Sequence, residues 1–189
     1  MDKTKKVILG IIVIIIISIA LIIMTPNLQT NSLLDSLNYV DYDNGWGFNP
    51  PEDWQTDNAS NGVFLWPIEE SMSDKVLLKI LIGTTSSDIN EIGQKQLDEF
   101  ENDFWVNSTE NFSIISHGKK TINDIDSYEV VYSYEPIYEN GTIGPETKIK
   151  TNMLIKNNKA IQFTYQSLTS YYGKYESDIN QSLNTLIII

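Results

Sequence analysis

Residues 147–168, TKIKTNMLIKNNKAIQFTYQSL, decide the fold of this chain. In the first half, apolar residues such as Ile149 and Met153 alternate with lysines, and in the second half Phe163 belongs to another alternating run. Alternation with a period of two is typical of β-strands. The pair Asn157-Asn158 separates the two runs and favours a tight turn. The stretch therefore predicts two antiparallel strands joined as a hairpin.

Shorter runs on either side of this hairpin predict further strands. Upstream, Trp46 and Phe48 flank a glycine in a short strand that ends at Pro50-Pro51, because proline cannot donate a hydrogen bond to a ladder. Trp54 follows and is expected to fill the core. The β-branched run at 187–189 favours a last strand. Alternation also predicts strands at 62–66, 75–83, 112–120 and 127–134.

Two stretches have a helical period instead. Apolar residues recur every three or four positions over 89–105, and Asp88 is a suitable N-cap for this helix. A second apolar stripe over 172–186 predicts a C-terminal helix. Because the links are short, we expect an α+β domain over 39–189, with a largely antiparallel sheet of about six or seven strands and helices packed on its faces.

The N-terminal part predicts a membrane anchor. Residues 7–24, VILGIIVIIIISIALIIM, carry no charge, and 18 helical residues extend ~27 Å, close to the hydrocarbon thickness of a bilayer. Three lysines precede this segment and none follows until Lys75, so the positive-inside rule places the tail, 1–6, in the cytoplasm. We expect 25–38 to be a linker to an exported domain. A cleaved signal peptide is the alternative, but its apolar region would be shorter than this one.

Charge and composition exclude several classes of function. The chain has a net charge of −12, and since the tail has three lysines and one aspartate, net +2, the remainder carries −14. Such a surface repels nucleic acid. All 13 basic residues are lysines, so no guanidinium group is available for bidentate phosphate binding. The absence of cysteine excludes disulfides, thiol nucleophiles and thiolate metal sites.

The order of elements and the motifs resemble a known family. Trp46-Gly-Phe48, Pro50-Pro51 and Trp54 look like the aromatic-Pro-x-x-Trp opening of PsbP-like domains, and 124–132 resembles a characteristic tyrosine-containing strand of that family. The similarity covers 39–189 and is strongest to PsbP-related membrane-anchored proteins of archaea. It implies an α/β/α sandwich and a non-enzymatic domain that binds other proteins and supports their assembly. The anchor and the acidic surface differ from photosynthetic members, so no photosystem role and no functional residue are transferred.

Few residues have catalytic or metal-binding potential. The single histidine, His117, lies in a turn-like context and is expected to have a structural surface role. Acidic clusters such as Glu69-Glu70 and 98–103 are expected to be solvated faces, because a glycosidase needs two carboxylates opposed across a cleft. The segment 41–45, DYDNG, resembles a calcium loop only faintly, since its register fails. We therefore predict no catalytic, cofactor-binding or metal residue.

The leading hypothesis is a membrane-anchored, extracytoplasmic, non-enzymatic binding or assembly module whose partner is another membrane or envelope protein. One alternative is an envelope hydrolase that uses paired carboxylates. Another is a small-ligand sensor with a pocket lined by a tyrosine-rich face: Tyr128, Tyr132, Tyr134, Tyr171 and Tyr172. Five sequons also make N-glycosylation a hypothesis: Asn58, Asn107, Asn111, Asn140 and Asn180.

Overall fold

The computed structural model describes residues 33–69, 75–102 and 109–189. The predicted tail, the predicted anchor at 7–24 and the linker up to residue 32 lie outside these ranges. Within them, no helix has the length and apolarity that a membrane crossing requires.

Strands and helices follow one another in the predicted order, with two additional short strands near the beginning. The strands are β1 (Tyr39–Asp41), β2 (Trp46–Phe48), β3 (Trp54–Ala59), β4 (Gly62–Pro67), β5 (Val76–Thr84), β6 (Thr109–Ile122), β7 (Ile125–Pro136), β8 (Thr147–Lys156), β9 (Lys159–Leu168) and β10 (Ile187–Ile188). The helices are α1 (Ile89–Asn102) and α2 (Thr169–Leu183).

Seven strands form one fully antiparallel sheet in the order β3-β4-β5-β9-β8-β7-β6. The predicted hairpin is its centre: Lys156 pairs with Lys159, and Asn157 and Asn158 have φ angles of 54° and 60°. Asparagine tolerates this left-handed conformation better than most residues, which explains why the turn forms here.

Two expectations about the first strands were incomplete. We expected one sheet, but β1, β2 and β10 form a second sheet of three strands, in which Ile188 pairs with Trp46. The predicted last strand is thus confirmed, but it belongs to the smaller sheet. Trp54 packs edge-on against Tyr175, with ring centroids 5.7 Å apart, and also begins β3, an edge strand that the sequence analysis missed.

The two helices cover opposite faces of the large sheet. The larger core lies on the α2 side, where Leu78, Phe163 and Ile179 are buried together with the aromatic residues of β2. Because successive residues of a strand point to opposite faces, the neighbours of Leu78 and Phe163 face α1. A smaller core there contains Phe100, Tyr132 and Ile149. The α+β fold with helices on both faces of the sheet agrees with the expectation.

Lys150 of β8 is a buried lysine. Its side chain lies between β8 and α2, where Nζ donates to Oδ1 of Asn180, and the residue is 8% exposed. The lysines of β8 alternate with Ile149 and Met153 as predicted, but α2 covers the face to which Lys150 belongs.

Candidate functional site

A groove runs beside α1 on the smaller-core face of the sheet. The helix packs mainly on β6, β7 and β8, so it leaves β9, β5 and β4 open on the same face. Two adjoining cavities of about 260 and 370 Å³ occupy this position and share Gln96, Glu99 and Gln162. We call them together the α1 groove. The first cavity is lined by Leu77, Lys79, Gln96, Glu99, Phe100, Tyr132, Ile149, Thr151, Gln162, Thr164 and Gln166.

The floor of the groove is polar because of the alternation in β9. Phe163 and its apolar neighbours point to the larger core, so Gln162, Thr164 and Gln166 point to the groove. Thr164 pairs with Thr151 of β8 and with Lys79 of β5. The hydroxyls of Thr151 and Thr164 lie 3.2 Å apart, and Nε2 of Gln162 donates to Oγ1 of Thr164 over 3.3 Å.

One wall of the groove is the inward side of α1. Phe100 packs on Tyr132 with ring centroids 4.6 Å apart. Burial raises the pKa of Tyr132, and the nearby Tyr134 raises it further, so its hydroxyl stays protonated at physiological pH. Oε1 of Gln96 is shielded from solvent and accepts no hydrogen bond from any described residue. A buried acceptor of this kind favours a ligand or partner that can donate to it.

The charges in the groove differ from those of the domain as a whole. Lys79 is half-buried and forms no ion pair with a described residue, while Lys95 lies 3.8 Å from Glu99 on the exposed rim. Two ammonium groups and one carboxylate therefore line a groove in a domain of strongly negative charge. The groove suits a partner that brings neutral polar groups and a carboxylate.

Beside the groove, β4 and β5 continue the floor as an apolar strip. Phe64 pairs with Lys79 and so lies on the same face, and Trp66 and Leu81 follow at the alternate positions. All three are half-buried. Nε1 of Trp66 is shielded from solvent and donates to none of the described residues. We define the apolar strip as Phe64, Trp66, Leu77 and Leu81.

The tyrosines proposed for a sensor pocket do not form one site. Tyr132 lines the α1 groove, and Tyr128 and Tyr134 belong to the smaller core beside it. Tyr171 and Tyr172 lie on α2, at the opposite face of the sheet. The five tyrosines of this alternative therefore do not line a single pocket, because α1 and α2 cover different faces.

The other residues considered from the sequence have structural contacts. His117 is exposed, and its Nδ1 lies 3.0 Å from the hydroxyl of Tyr128. Asp41 accepts hydrogen bonds from the backbone and side chain of Asn44 and from Nε1 of Trp46. The carboxylate that would begin a calcium loop thus closes a turn. Among the described residues, no three histidine or acidic side chains are placed to hold a metal ion.

The acidic clusters are on the surface where the structure describes them. Glu69 is exposed and lies 3.7 Å from Lys174, and Asp98 and Glu99 are exposed on α1. The α1 groove contains a single carboxylate, Glu99, among its described lining residues. The described lining therefore does not include the opposed pair that a carboxylate-based glycoside hydrolase requires.

These elements define a PsbP-like α+β fold, and comparisons with solved structures agree. The solution structure of CyanoP, the cyanobacterial PsbP of Synechocystis sp., aligns with a TM-score of 0.57 and 13% identity, covering 80% of this chain and 91% of CyanoP. The crystal structure of LpqN, involved in cell envelope biogenesis of Mycobacterium tuberculosis, aligns with a TM-score of 0.54 and 14% identity, covering 76% of this chain and 82% of LpqN.

A third structure, of a protein from Bacteroides thetaiotaomicron, aligns with a TM-score of 0.51 and 13% identity over 76% of this chain but only 45% of that protein. No family model matches the sequence, and no curated protein matches it. At these identities the similarity shows the fold alone. The similarity to archaeal members stays a prediction.

Proposed function

We propose that this protein is a membrane-anchored, extracytoplasmic, non-enzymatic binding module, and that it holds a segment of a partner membrane or envelope protein in the α1 groove. The uncharged segment at 7–24 and the lysines before it support the anchor and its direction. The observation that carries the proposal is the partial cover by α1, which leaves β9, β5 and β4 open on a face with half-buried apolar and polar side chains.

The lining of the groove matches the chemistry of a polypeptide. The amides of Gln96, Gln162 and Gln166 can each donate and accept hydrogen bonds, as the backbone of a bound segment requires. The apolar strip beside them can bury an apolar side chain of the partner. Lys79 lies between the polar floor of the groove and the apolar strip, and it would pair with a carboxylate of the partner.

The similarity to LpqN supports an envelope role. LpqN is involved in cell envelope biogenesis, and its fold is similar to the fold of this chain. Because the identity is low, the partner of this protein must be identified by experiment.

Site-specific crosslinking in intact cells tests the proposal. A photo-crosslinking amino acid is placed at Gln96, on the wall of the groove, and in a control variant at Lys156, which is exposed at the end of β8. We expect one reproducible protein adduct from position 96 and none of the same mass from position 156. Reversal of charge by Lys79→Glu should abolish this adduct, while Lys156→Glu should leave it unchanged. Equal adducts from both positions, or no adduct from position 96, would refute the proposal.

A small-ligand sensor is the second candidate, favoured by the cavity of about 260 Å³ between α1 and β9. The two candidates are distinguished by what the purified protein releases on denaturation. A sensor purified in mild detergent would release a small organic molecule on denaturation, and a Gln162→Leu variant would release less of it. A protein-binding module would give a protein adduct and no such molecule.

A further inference from the structure

The loop between β7 and β8 contains one of the sequons at its tip. Asn140, Gly141 and Thr142 form its exposed tip. Gly141 donates from its backbone N–H to the carbonyl of Tyr138 over 2.8 Å, and Tyr138 donates to the carbonyl of Thr142 over 2.9 Å. Gly141 has a φ angle of +77°, which glycine adopts without strain. The loop is therefore a tight, hydrogen-bonded turn that displays Asn140.

The side chain of Asn140 is oriented by Thr142. Its Oδ1 accepts hydrogen bonds from the backbone N–H of Thr142, at 3.0 Å, and from the Thr142 hydroxyl, at 2.7 Å. This arrangement is an Asx turn, which occupies the amide oxygen and leaves the amide nitrogen for another partner. Asn140 is exposed, and its Nδ2 donates to none of the described residues, so this nitrogen is accessible to an external reactant.

Exposed apolar side chains flank the same tip. Tyr138, two residues before Asn140, is 51% exposed, and Ile143 is 57% exposed. These two side chains give the tip an apolar surface beside Asn140. The flat apolar face of a sugar attached to Asn140 could stack on the ring of Tyr138.

The other described sequons lack this combination. Nδ2 of Asn111 donates to Glu135 over 2.7 Å, so its nitrogen is already bonded. Asn180 lies in α2, where its oxygen accepts from Lys150, and the hydroxyl of Ser182 in the same sequon donates to the carbonyl of Asn49. Oδ1 of Asn58 accepts from Tyr39 over 3.3 Å within the edge strand β3. Asn107 lies outside the described residues.

We propose that Asn140 is a site of N-linked glycosylation, with Thr142 as the residue that orients the acceptor amide. In the reaction, Nδ2 forms a bond to C1 of the first sugar of a glycan carried on a lipid phosphate. The bond between C1 and the phosphate oxygen breaks, the lipid phosphate leaves with the electron pair, and Nδ2 loses one proton to a base of the transferase. No oxidant or reductant is needed.

The inference rests on the extracytoplasmic placement in the proposed function, because Asn-x-Ser/Thr sequons are glycosylated in the surface loops of secreted proteins. The experiment therefore begins with protease added to intact cells. Cleavage of the domain from outside establishes its placement. Protection of the domain overturns both the placement and the inference.

Peptide mapping of the full-length protein from the same membranes then tests the site. We expect the peptide that contains Asn140 to carry a glycan, and Asn140→Gln to lose the mass of one glycan. Thr142→Ala should lose it too, whereas Thr142→Ser, which keeps a hydroxyl, should retain it. An unmodified Asn140 peptide in a protein that external protease cleaves would overturn the inference while leaving the placement intact. Conversion of Asn140 to aspartate without a glycan, the spontaneous reaction of Asn-Gly sequences, would overturn it equally.

Discussion

Lys150 donates a hydrogen bond from Nζ to Oδ1 of Asn180, 2.5 Å away, and this contact joins β8 to α2. The same ammonium group lies 3.7 Å from Oε2 of Glu129, and Lys120 donates to Oε1 of that carboxylate. The side chains of Lys150 and Glu129 are each only 10% exposed. Two charged groups of the sheet, one on β7 and one on β8, are therefore kept from water and pair with each other, while Asn180 of α2 binds the ammonium group.

Removal of this ammonium group should destabilise the fold. We expect Lys150→Met to lower the free energy of unfolding by about 2 kcal/mol, because Asn180 then loses a charged hydrogen-bond donor and the Glu129 carboxylate loses one of its two cationic partners. Urea denaturation of the detergent-solubilised protein, followed by tryptophan fluorescence, measures the change. Lys156→Met is the matched control on the same strand, and being exposed it should change stability by less than about 0.5 kcal/mol. Equal losses of stability in the two variants would contradict the prediction that the buried ammonium group of Lys150 stabilises the fold.

Two glycines in helices should respond to alanine with opposite signs. A Cβ atom at Gly93 in α1 would overlap ring carbons of Tyr128, whereas a Cβ atom at Gly173 in α2 has no neighbour within 4 Å. Alanine favours a helix over glycine by about 1 kcal/mol, but overpacking costs about 1–3 kcal/mol. We therefore expect Gly173→Ala to raise the free energy of unfolding and Gly93→Ala to lower it. Urea denaturation measures the free energy of unfolding of both variants. A change of the same sign in both would refute the prediction.

The strands β8 and β9 and the helix α1 could be predicted because their apolar residues recur with a regular period. Asn157-Asn158 marked the hairpin of β8 and β9, and the stripe that begins at Ile89 marked α1. By contrast, β3 has the sequence WQTDNA with four exposed residues in its middle, so it contains no alternation to detect. The strand β1 has three residues, and such a short run carries almost no local signal.

The α1 groove could not be predicted from the sequence. Gln162, Thr164 and Gln166 occupy the positions that an ordinary one-sided strand turns to solvent, and only the partial cover by α1 makes them a floor. The burial of Lys150 is hidden from the sequence for a similar reason, because α2 covers the lysine-bearing face of β8. One signal was present: the outward positions of β9 have uncharged amides and hydroxyls in a chain where 20% of residues are charged.

Stability in acid should depend on Asp41. Burial favours the protonated form and is the largest single effect, but hydrogen bonds from Asn44, Trp46 and the backbone together outweigh it and hold the pKa of Asp41 below its ordinary value of 3.8. A lowered pKa in the folded state contributes stability above the ordinary pKa, and that contribution disappears as pH falls through the folded value. We expect Asp41→Asn to be less stable than the wild type at pH 6, with a difference that shrinks below pH 3.8.

The measurement is a series of urea titrations between pH 6 and pH 2.5. Asp43 provides the matched control, because it is an exposed aspartate in the same turn. Asp43→Asn removes one exposed charge and should change the free energy of unfolding at pH 6 by less than about 0.5 kcal/mol. If the difference between wild type and Asp41→Asn is constant with pH, the hydrogen bonds to Asp41 do not depend on its charge.

Substitutions at two neighbouring residues of β8 should show how a hydrogen bond changes the contribution of a buried polar group to stability. Asn152 is 1% exposed, and neither its Oδ1 nor its Nδ2 bonds to a described residue. Thr151 is equally buried on the opposite face, but its hydroxyl lies 3.2 Å from that of Thr164. An unsatisfied buried group costs about 1–3 kcal/mol. Asn152→Leu should therefore raise the free energy of unfolding by about 1 kcal/mol, and Thr151→Val should lower it by a similar amount. Urea denaturation of the two variants measures both changes. If Asn152→Leu destabilises as strongly as Thr151→Val, a buried water or a bound ligand satisfies the Asn152 amide.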